Sequence, residues 1–321
     1  MFDVPFLLTC VMVSAQASPT QLLCPACRQA TAQRFLYSKN GCDILQCAEC
    51  GLGRAQASVF DPGAYYTGDY FSGGHADGYA DYRGAEPVLR REFANTVDFI
   101  RKYRASGRLL GVGCAYGFFL QEARPYFDVA GIEIAEEAAT FCRKQSLRVL
   151  TGMADEYNLA QLGMMDVITL LDVLEHLPSP HETLALCTRY LSPGGVILTT
   201  TGDFASHSAR VAGARWRLMT PPQHLWYFTL ESVERMSRAR TSGGMVRSSL
   251  EDSTDLPCRL PDQAYAGHAH RRHLDHERRG ASSQLIRCNA HCVAQERVTI
   301  FLSIWKPATR YVGMTERQAA R

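Results

Sequence analysis

An apolar run at residues 108–112 ends in a glycine-rich turn, G-V-G-C-A-Y-G, which leads into the helix-like segment F-F-L-Q-E-A. Four further short strands are predicted, at residues 128–132, 147–150, 166–171 and 195–201, with helical segments between most of them. Strands that alternate with helices form an open, mainly parallel sheet with helices on both faces. The sequence therefore predicts a doubly wound α/β domain, in which ligands bind at the carboxyl ends of the strands.

The glycine-rich turn favours a nucleoside ligand. Gly113 and Gly117 lack side chains, so that backbone and ligand can approach closely. Glu133 lies twenty residues beyond Gly113, at the end of the second strand, and can accept hydrogen bonds from both hydroxyls of a ribose. A dinucleotide fingerprint would need glycine or alanine where Tyr116 stands, so the turn argues against a bound pyrophosphate.

Further motifs accompany the turn in a fixed order. They read R-L-L-G-V-G-C-A-Y-G-F-F-L at 108–120, G-I-E-I-A-E-E-A-A at 131–139, D-V-I-T-L-L-D-V-L-E-H-L-P-S-P at 166–180, L-S-P-G-G-V-I-L-T-T-T-G-D at 191–203 and R-W-R-L-M-T-P-P-Q-H-L-W-Y-F-T at 215–229. In order and spacing the chain resembles the class I S-adenosylmethionine-dependent methyltransferases. The resemblance runs from about residue 24 to residue 236, and it implies a Rossmann-like fold with S-adenosylmethionine as cofactor.

The resemblance assigns the first cofactor-binding positions. Gly113, Ala115 and Gly117 fall on the loop that faces the methionine part of the cofactor, and Ala115 stands where glycine is commoner in the family. Glu133 falls on the ribose-binding acid. The whole predicted cofactor-binding set is Gly111, Gly113, Cys114, Ala115, Gly117, Glu133, Ile134, Met153, Ala154, Asp155, Asp172 and Val173.

The resemblance also places residues after the third and fourth strands. Met153 and Ala154 fall where the adenine is flanked, and Asp155 is a candidate partner of its amino group. Asp172 and Val173 end the fourth strand, beside the sulfonium and the methyl group. These positions complete the expected cofactor site.

One position departs from the family pattern. The family has an acid two residues before the first loop glycine, where this chain has Gly111. That acid helps to fix the loop and the ammonium end of the methionine, and its loss removes the ~1.5–3 kcal/mol of a charged hydrogen bond. Either water or Asp172 substitutes for it, or the chain is a catalytically impaired homologue.

Methyl transfer is an in-line displacement in which a nucleophile of the acceptor attacks the activated methyl group. The protein supplies alignment, and it supplies a base if the nucleophile arrives protonated. His176 and His224 are the candidate catalytic bases, because each falls in a segment expected near the mouth of the sheet. The alternatives are a structural role for His176 at a helix start and, for His224, packing against Trp226 and Phe228.

A second module precedes the sheet. Cys24 and Cys27 read C-P-A-C, and nineteen residues later Cys47 and Cys50 read C-A-E-C-G, a spacing typical of zinc sites. Each turn can present two thiolates to one ion, and two such turns complete a tetrahedral site. With two short strands predicted between the pairs, the pattern indicates a zinc ribbon with a structural metal ion. The alternatives are two disulfides or four unrelated thiols; the other eight cysteines form no ligand array.

A segment rich in tyrosine, glycine and aspartate joins the ribbon to the sheet. Its composition is poor for a helix or a strand. Either it is a lid over a substrate pocket or it is a packed connector whose rings cover apolar surface. Ligand contacts, if it is a lid, are expected from Tyr65, Tyr66, Tyr70 or Tyr79. An amphipathic helix is predicted next, at residues 86–104.

The composition changes again near the end of the chain. Residues 237–297 contain ten arginines, five histidines and no lysine, with no sustained periodicity, before one predicted strand at 298–305. This tail is interpreted as solvated or disordered, or as the product of a reading-frame shift; a metal or nucleic-acid patch at 268–276 is the alternative. The predicted organisation is a disordered or misassigned start (1–20), a zinc ribbon (21–56), a connector or lid (57–85), a methyltransferase domain (86–236) and an atypical tail (237–321).

Composition limits the partners. The chain is 46% hydrophobic and 21% charged, which is ordinary for a globular protein, and its net charge of +2 gives no electrostatic case for nucleic acid or membrane. Outside the apolar start, nothing approaches 18 consecutive apolar residues, so no membrane span is expected. The apolar start has no positively charged n-region, and we expect a cytoplasmic protein.

Three functions fit the sequence. The first is a methyltransferase for a small-molecule acceptor, such as a sugar or a specialised metabolite. The second is an RNA methyltransferase that binds RNA through the ribbon, but residues 1–58 carry only four cationic side chains, which disfavours nucleic acid. The third is a non-catalytic homologue that binds cofactor. The sequence determines neither the attacked atom nor the oligomeric state.

Overall fold

The computed structural model describes residues 20–57, 60–74, 78–238, 245–247 and 298–304. These residues form a small antiparallel sheet and a larger, mainly parallel sheet with helices. Among them, no helix is both long enough and apolar enough to cross a bilayer. The predictions for residues 1–19 and for most of the tail fall outside the described residues.

The small sheet contains the ribbon predicted from the cysteine spacing. Its strands, in order across the sheet, are β1 (Thr20–Cys24), β2 (Gln29–Lys39), β3 (Cys42–Cys47), β4 (Gly53–Gln56) and β10 (Trp226–Tyr227). All neighbouring strands are antiparallel. The turn between β2 and β3 is formed by Asn40 and Gly41, whose φ angles are 49° and 75°, as a tight two-residue hairpin requires.

The larger sheet confirms the predicted doubly wound fold. Its strands are β5 (Gly107–Val112), β6 (Phe127–Glu133), β7 (Arg148–Thr151), β8 (Met165–Leu171), β9 (Leu191–Gly202), β11 (Met245–Arg247) and β12 (Val298–Ile304). The order across the sheet is β11-β12-β9-β8-β5-β6-β7. The strands from β9 to β7 are parallel, whereas β12 is antiparallel to both of its neighbours. The chain order reverses beside β5, and ligands bind at such a switch point.

Both faces of the larger sheet are buried. Leu109 and Val167 lie in one buried cluster, while the next residue in each strand, Leu110 and Ile168, lies in another. Successive strand residues point to opposite faces, so a sheet covered on both sides needs apolar residues at every position. This explains the uninterrupted apolar runs in the sequence.

Helices connect and cover the strands. They are α3 (Glu86–Arg101), α4 (Phe118–Ala123), α5 (Glu136–Lys144), α6 (Glu156–Leu162), α7 (Pro180–Arg189), α8 (His207–Ala212) and α9 (Leu230–Arg238), with short 3-10 helices at Leu174–His176 and Gly213–Arg215. Helix α3 begins where it was predicted to begin and ends three residues earlier. The predicted strand at 298–305 is confirmed as β12, one residue shorter.

The connector contains two short helices, α1 (Pro62–Tyr65) and α2 (Gly68–Ser72), which its composition did not predict. Asp61 begins α1, because its carboxylate accepts a hydrogen bond from the Gly63 amide at 2.9 Å and proline suits the first helical position. Tertiary packing then holds the segment. Rings of the connector and of the sheet domain form one buried aromatic cluster, which consists mainly of Tyr70, Phe71, Tyr82, Tyr116 and Phe118.

Candidate active site

The loop after β5 has an uncommon backbone conformation. Gly113, Ala115 and Gly117 adopt φ angles of 66°, 46° and 75°. The Gly113 amide donates to the Ile132 carbonyl at 2.8 Å, and this bond ties the loop to the end of β6. An L-residue in the left-handed region costs about 1–2 kcal/mol, which is a physical reason for glycine to be commoner where this chain has Ala115.

The two loop glycines also serve packing. A Cβ atom at Gly113 would lie 2.6 Å from Cγ2 of Val173, and one at Gly117 would lie 2.6 Å from Leu147 and 2.8 Å from the Cys142 sulfur. These contacts are with the protein itself. Glycine is therefore needed at both positions whether or not a ligand is bound, which adds to the ligand approach expected from the sequence.

Glu133 connects the loop to the second strand. It is 4% exposed, and its carboxylate accepts hydrogen bonds from the amides of Ala115 at 2.7 Å and Ala135 at 2.9 Å. Burial raises the pKa of Glu133, while the amide donors act in the opposite direction. A carboxylate offers about four lone-pair sites, and the Ile134 amide also acts on it, so at least one site remains for a further donor.

Gly111, where the family has an acid, is enclosed by apolar atoms. A Cβ atom there would lie 3.0 Å from Cδ2 of Leu120 and 3.5 Å from Cβ of Cys114. The side chain of Cys114 also covers Gly131, so it points toward the sheet rather than toward the open edge. The residues that surround Gly111 are thus Leu120 and Cys114, and neither supplies the carboxylate that the family has at this position.

Asp172 lies at the carboxyl end of β8, next to the loop. Its φ is 52°, and its carboxylate accepts a hydrogen bond from the Thr200 hydroxyl at 2.9 Å. The Asp172 amide donates to Thr200 as well, so β9 holds this residue in its left-handed conformation. The side chain itself is exposed at the edge of the sheet.

The residues predicted around the adenine lie at the end of β7. Met153 is 39% exposed, and Ala154 is half-buried. Asp155 begins α6, because its carboxylate accepts a hydrogen bond from the Asn158 amide at 2.8 Å. Ile134, directly after β6, is half-buried. The ends of β5, β6, β7 and β8 thus bring the predicted cofactor residues to one edge of the sheet.

The two candidate bases lie together, and an acid, Glu175, belongs to the same cluster. One nitrogen each of His176 and His224 and an oxygen of Glu175 lie within 4.8 Å of one another, and the imidazole centroids are 4.7 Å apart. The Leu225 amide donates to the Glu175 carbonyl at 2.8 Å. This bond joins the residue after His224 to the 3-10 helix at Leu174–His176, and so it places His224 beside His176.

Burial changes the protonation of this cluster. It lowers the pKa of His176 to about 4 and holds the pKa of His224 well below its usual range, with His176 adding to the second shift. Burial raises the pKa of Glu175 to about 8, and the carboxylate of Asp172 acts in the same direction. Both imidazoles are therefore neutral near pH 7.

The connector reaches this cluster. The Tyr66 hydroxyl lies 2.7 Å from Nδ1 of His176, and Nε2 of Gln223 donates to the Tyr70 hydroxyl at 2.5 Å. The Tyr66 and Tyr70 rings meet edge to face at 4.9 Å. Tyr65 packs against both rings, and Tyr79 packs against Tyr70. A ligand contact by any of the four tyrosines stays a prediction.

The comparisons with known proteins identify the domain that carries this site. Residues 86–240 match a family described as a methyltransferase domain. This stretch of the chain is a methyltransferase domain. The match confirms the family to which the sequence motifs pointed.

Curated relatives share part of the chain. A ubiquinone biosynthesis O-methyltransferase of Methylococcus capsulatus is 28% identical over 191 residues, which are 56% of this chain and 81% of that protein. One from Thiobacillus denitrificans is 29% identical over 150 residues, 43% of this chain and 65% of the relative. Other such relatives are matched over as little as 52% of their length. A solved S-adenosylmethionine-dependent methyltransferase from Archaeoglobus fulgidus is 21% identical, with a TM-score of 0.43, and the overlap covers 54% of this chain and 78% of the other.

The four cysteines of the ribbon lie outside the methyltransferase domain and close together. The sulfur atoms of Cys24 and Cys50 are 3.6 Å apart, and those of Cys27 and Cys47 are 3.8 Å apart. A disulfide requires about 2.05 Å, whereas neighbouring sulfurs of a tetrahedral zinc site, with Zn–S bonds of about 2.3 Å, lie about 3.8 Å apart. These distances fit a zinc ion.

The turns that present the cysteines have matching backbones. Gly51, which follows Cys50, has a φ of 71°, and Arg28, which follows Cys27, has a φ of 59°. Both residues are in the left-handed region, although Arg28 is not a glycine. Arginine in place of glycine therefore leaves the backbone of the first turn like that of the second.

The ribbon packs directly on the methyltransferase domain. Strand β10 belongs to the 215–229 motif of the domain but pairs with β4 of the ribbon. The Thr229 hydroxyl donates to the Cys50 carbonyl at 2.9 Å, and the Trp226 indole donates to the Leu177 carbonyl at 2.8 Å. Leu177 follows the 3-10 helix of His176, so the ribbon braces the segment that carries the histidine cluster.

Sequence reasoning singled out both histidines but missed their convergence with Glu175, as well as the contacts of Gln223. One signal was available, since Glu175 directly precedes a candidate histidine in L-D-V-L-E-H-L. The long-range pairing of Leu225 with Glu175, 50 residues apart by their numbers, has no such signal.

Proposed function

We propose that the chain transfers the methyl group of S-adenosylmethionine to a hydroxyl oxygen of a small-molecule acceptor. One observation carries the proposal: the left-handed loop after β5 is hydrogen-bonded to Glu133 at the switch point of a methyltransferase domain. The relatives named ubiquinone biosynthesis O-methyltransferases support a small acceptor that is methylated on oxygen.

The residues at this edge fit the cofactor. Glu133 keeps a lone pair that can accept from a ribose hydroxyl. The exposed Met153 and the half-buried Ala154 offer the adenine a place beside the strand ends. Asp172 and Val173 lie where the sulfonium is expected. When bound, S-adenosylmethionine supplies an activated methyl group to the nucleophile. The protein must orient the acceptor in line with that group, since alignment accounts for much of such catalysis.

A hydroxyl acceptor must lose its proton. The neutral imidazoles of His176 and His224 each have one nitrogen without a hydrogen, so either can accept that proton. Tyr66 and the buried side chain of Gln223 close the cluster on the side of the connector. In this proposal the connector limits the access of water to the reacting hydroxyl.

The ribbon is proposed to hold one structural zinc ion through Cys24, Cys27, Cys47 and Cys50. Two further groups donate toward the thiolates: the Thr31 hydroxyl lies 3.2 Å from the Cys47 sulfur, and the Arg235 guanidinium lies 3.8 Å from the Cys27 sulfur. The ion would stabilise the ribbon. Because β10 pairs with the ribbon, the ion would also help to hold the 3-10 helix that carries His176. A cytoplasmic location stays a prediction.

Methyl transfer can be measured with isotope-labelled S-adenosylmethionine and a panel of acceptors. The panel contains hydroxylated aromatics, sugars and bulk RNA, and the product is analysed for a methoxy group. The proposal expects label in one or more small hydroxylated compounds. Label found only in RNA, or only on nitrogen or carbon, would contradict it.

A further inference from the structure

The side chains of Glu175, His176 and His224 form a cluster of possible metal ligands. Nδ1 of His176 lies 3.0 Å from the Gln223 carbonyl, and Nδ1 of His224 lies 2.7 Å from the Leu218 carbonyl. A carbonyl oxygen only accepts hydrogen bonds, so Nδ1 of His224 carries a hydrogen. Nδ1 of His176 also lies 2.7 Å from the Tyr66 hydroxyl, which can donate or accept. A neutral imidazole has one N–H, so Nε2 of His224 has a bare lone pair, and Nε2 of His176 has one when Nδ1 donates to the Gln223 carbonyl.

Glu175 adds a third acceptor. The residue is 4% exposed, and its Oε2 atom is buried without a hydrogen-bond partner in the described part of the chain. A buried acceptor that lacks a donor is destabilising, and more so when it is charged. One nitrogen of each histidine and one oxygen of Glu175 lie within 4.8 Å of one another, which indicates a place for a cation.

We propose that these three side chains bind a divalent transition-metal ion, through Nε2 of His176, Nε2 of His224 and the carboxylate of Glu175. Two imidazoles and one carboxylate are a common ligand set for zinc and similar ions. Metal-binding histidines commonly donate their other N–H to a backbone carbonyl, and Nδ1 of each histidine lies within hydrogen-bond distance of such a carbonyl here. This site is separate from the four-cysteine cluster.

Three protein ligands leave coordination positions open for water or for an oxygen of the acceptor. Glu175 and His176 follow Asp172 within one short segment of the chain. The site therefore lies near the edge of the sheet where methyl transfer is proposed. An ion there would lower the pKa of a coordinated hydroxyl group. The acceptor could then lose its proton to water, and the histidines would act as metal ligands instead of bases. That role rests on the proposed function, whereas metal binding does not.

Cobalt(II) is a suitable probe, because it takes the same ligands as zinc and is visible by spectroscopy. Full-length protein with zinc in its cysteine site is titrated with Co²⁺ in the absence of S-adenosylmethionine and acceptor, and both metals are counted by mass spectrometry. One Co²⁺ per chain, with zinc retained and no thiolate-to-cobalt charge-transfer band, supports the site. No uptake, or uptake only by displacement of zinc, overturns it.

Substitutions locate the bound ion. Glu175→Gln and His224→Asn are expected to weaken Co²⁺ binding by more than about tenfold. Glu182→Gln and His207→Ala alter exposed residues of the same types on α7 and α8, and they should bind as the unmodified protein does. Uptake unaffected by Glu175→Gln and His224→Asn would assign the ion to another place and overturn the proposal.

A measurement on the unmodified protein covers the case in which these variants do not fold. Proton NMR of the cobalt-loaded protein should show two strongly shifted resonances that disappear in D₂O, one from each Nδ1–H. Their absence from a protein that holds one Co²⁺ per chain would show that the histidines are not ligands. Failure of methyl transfer alone would leave this result unchanged, so the two proposals are tested separately.

Discussion

The loop glycines offer a prediction that separates packing from backbone conformation. Gly117 and Gly41 share a φ of 75°, but a Cβ atom at Gly117 would meet Leu147 at 2.6 Å and Cys142 at 2.8 Å, whereas nothing lies within 4 Å at Gly41. Both Gly→Ala variants therefore bear the same left-handed penalty of about 1–2 kcal/mol, offset by about 0.4–1 kcal/mol from the stiffer unfolded chain. Only Gly117→Ala adds a steric conflict.

The size of that conflict follows from burial. Cys142 is 0% exposed and Leu147 is 4% exposed, so neither can swing into solvent, and overpacking of this kind costs about 1–3 kcal/mol. Gly117→Ala should thus lower the free energy of unfolding by about 1–3 kcal/mol more than Gly41→Ala does. Urea unfolding of the zinc-loaded protein, followed by circular dichroism, measures both values.

A double substitution tests the cause. Leu147→Val removes the Cδ1 atom that the new methyl group would meet, so it should be less harmful, or even favourable, in the Gly117→Ala background. Equal losses for Gly117→Ala and Gly41→Ala, or a Leu147→Val effect that is the same in both backgrounds, would refute the packing argument.

Three further predictions concern the cofactor and the metal. Glu133→Gln should raise the Kd for S-adenosylmethionine in calorimetry by about 10- to 150-fold, as expected for a lost charged hydrogen bond of ~1.5–3 kcal/mol, while exposed Glu136→Gln should not; equal affinities would contradict the ribose role. Gly111→Asp should tighten cofactor binding, yet lower the urea midpoint because Leu120 must move; unchanged affinity would show that the missing acid is already replaced. Cys47→Ala should lose one tightly held zinc per chain, as measured by mass spectrometry, and Cys42→Ala should keep it; equal zinc contents would argue against the four-cysteine site.

The strands of the larger sheet could be predicted because burial on both faces makes them continuous apolar runs. The runs at 108–112 and 128–132 lie within β5 and β6. Helix α3 begins at Glu86, the predicted residue. Local composition was enough for these elements, since each is determined by its own apolar periodicity.

Elements held by distant contacts were not predictable in the same way. Strand β10 is two residues long, and it exists because Trp226 and Tyr227 pair with the ribbon. Helices α1 and α2 contradict the local preference of a segment rich in glycine and tyrosine, because aromatic packing against Tyr116 and Phe118 stabilises them. The same limitation hid the cluster around Glu175, which depends on a backbone bond from Leu225.

Binding of S-adenosylmethionine is the most direct test of the central claim. The full-length, zinc-loaded protein is titrated with the cofactor by calorimetry, after circular dichroism has shown that it is folded. The proposed site predicts one equivalent bound per chain, with binding weakened by Glu133→Gln. A folded, zinc-loaded protein that binds no S-adenosylmethionine would contradict the assignment of this domain as an active methyltransferase.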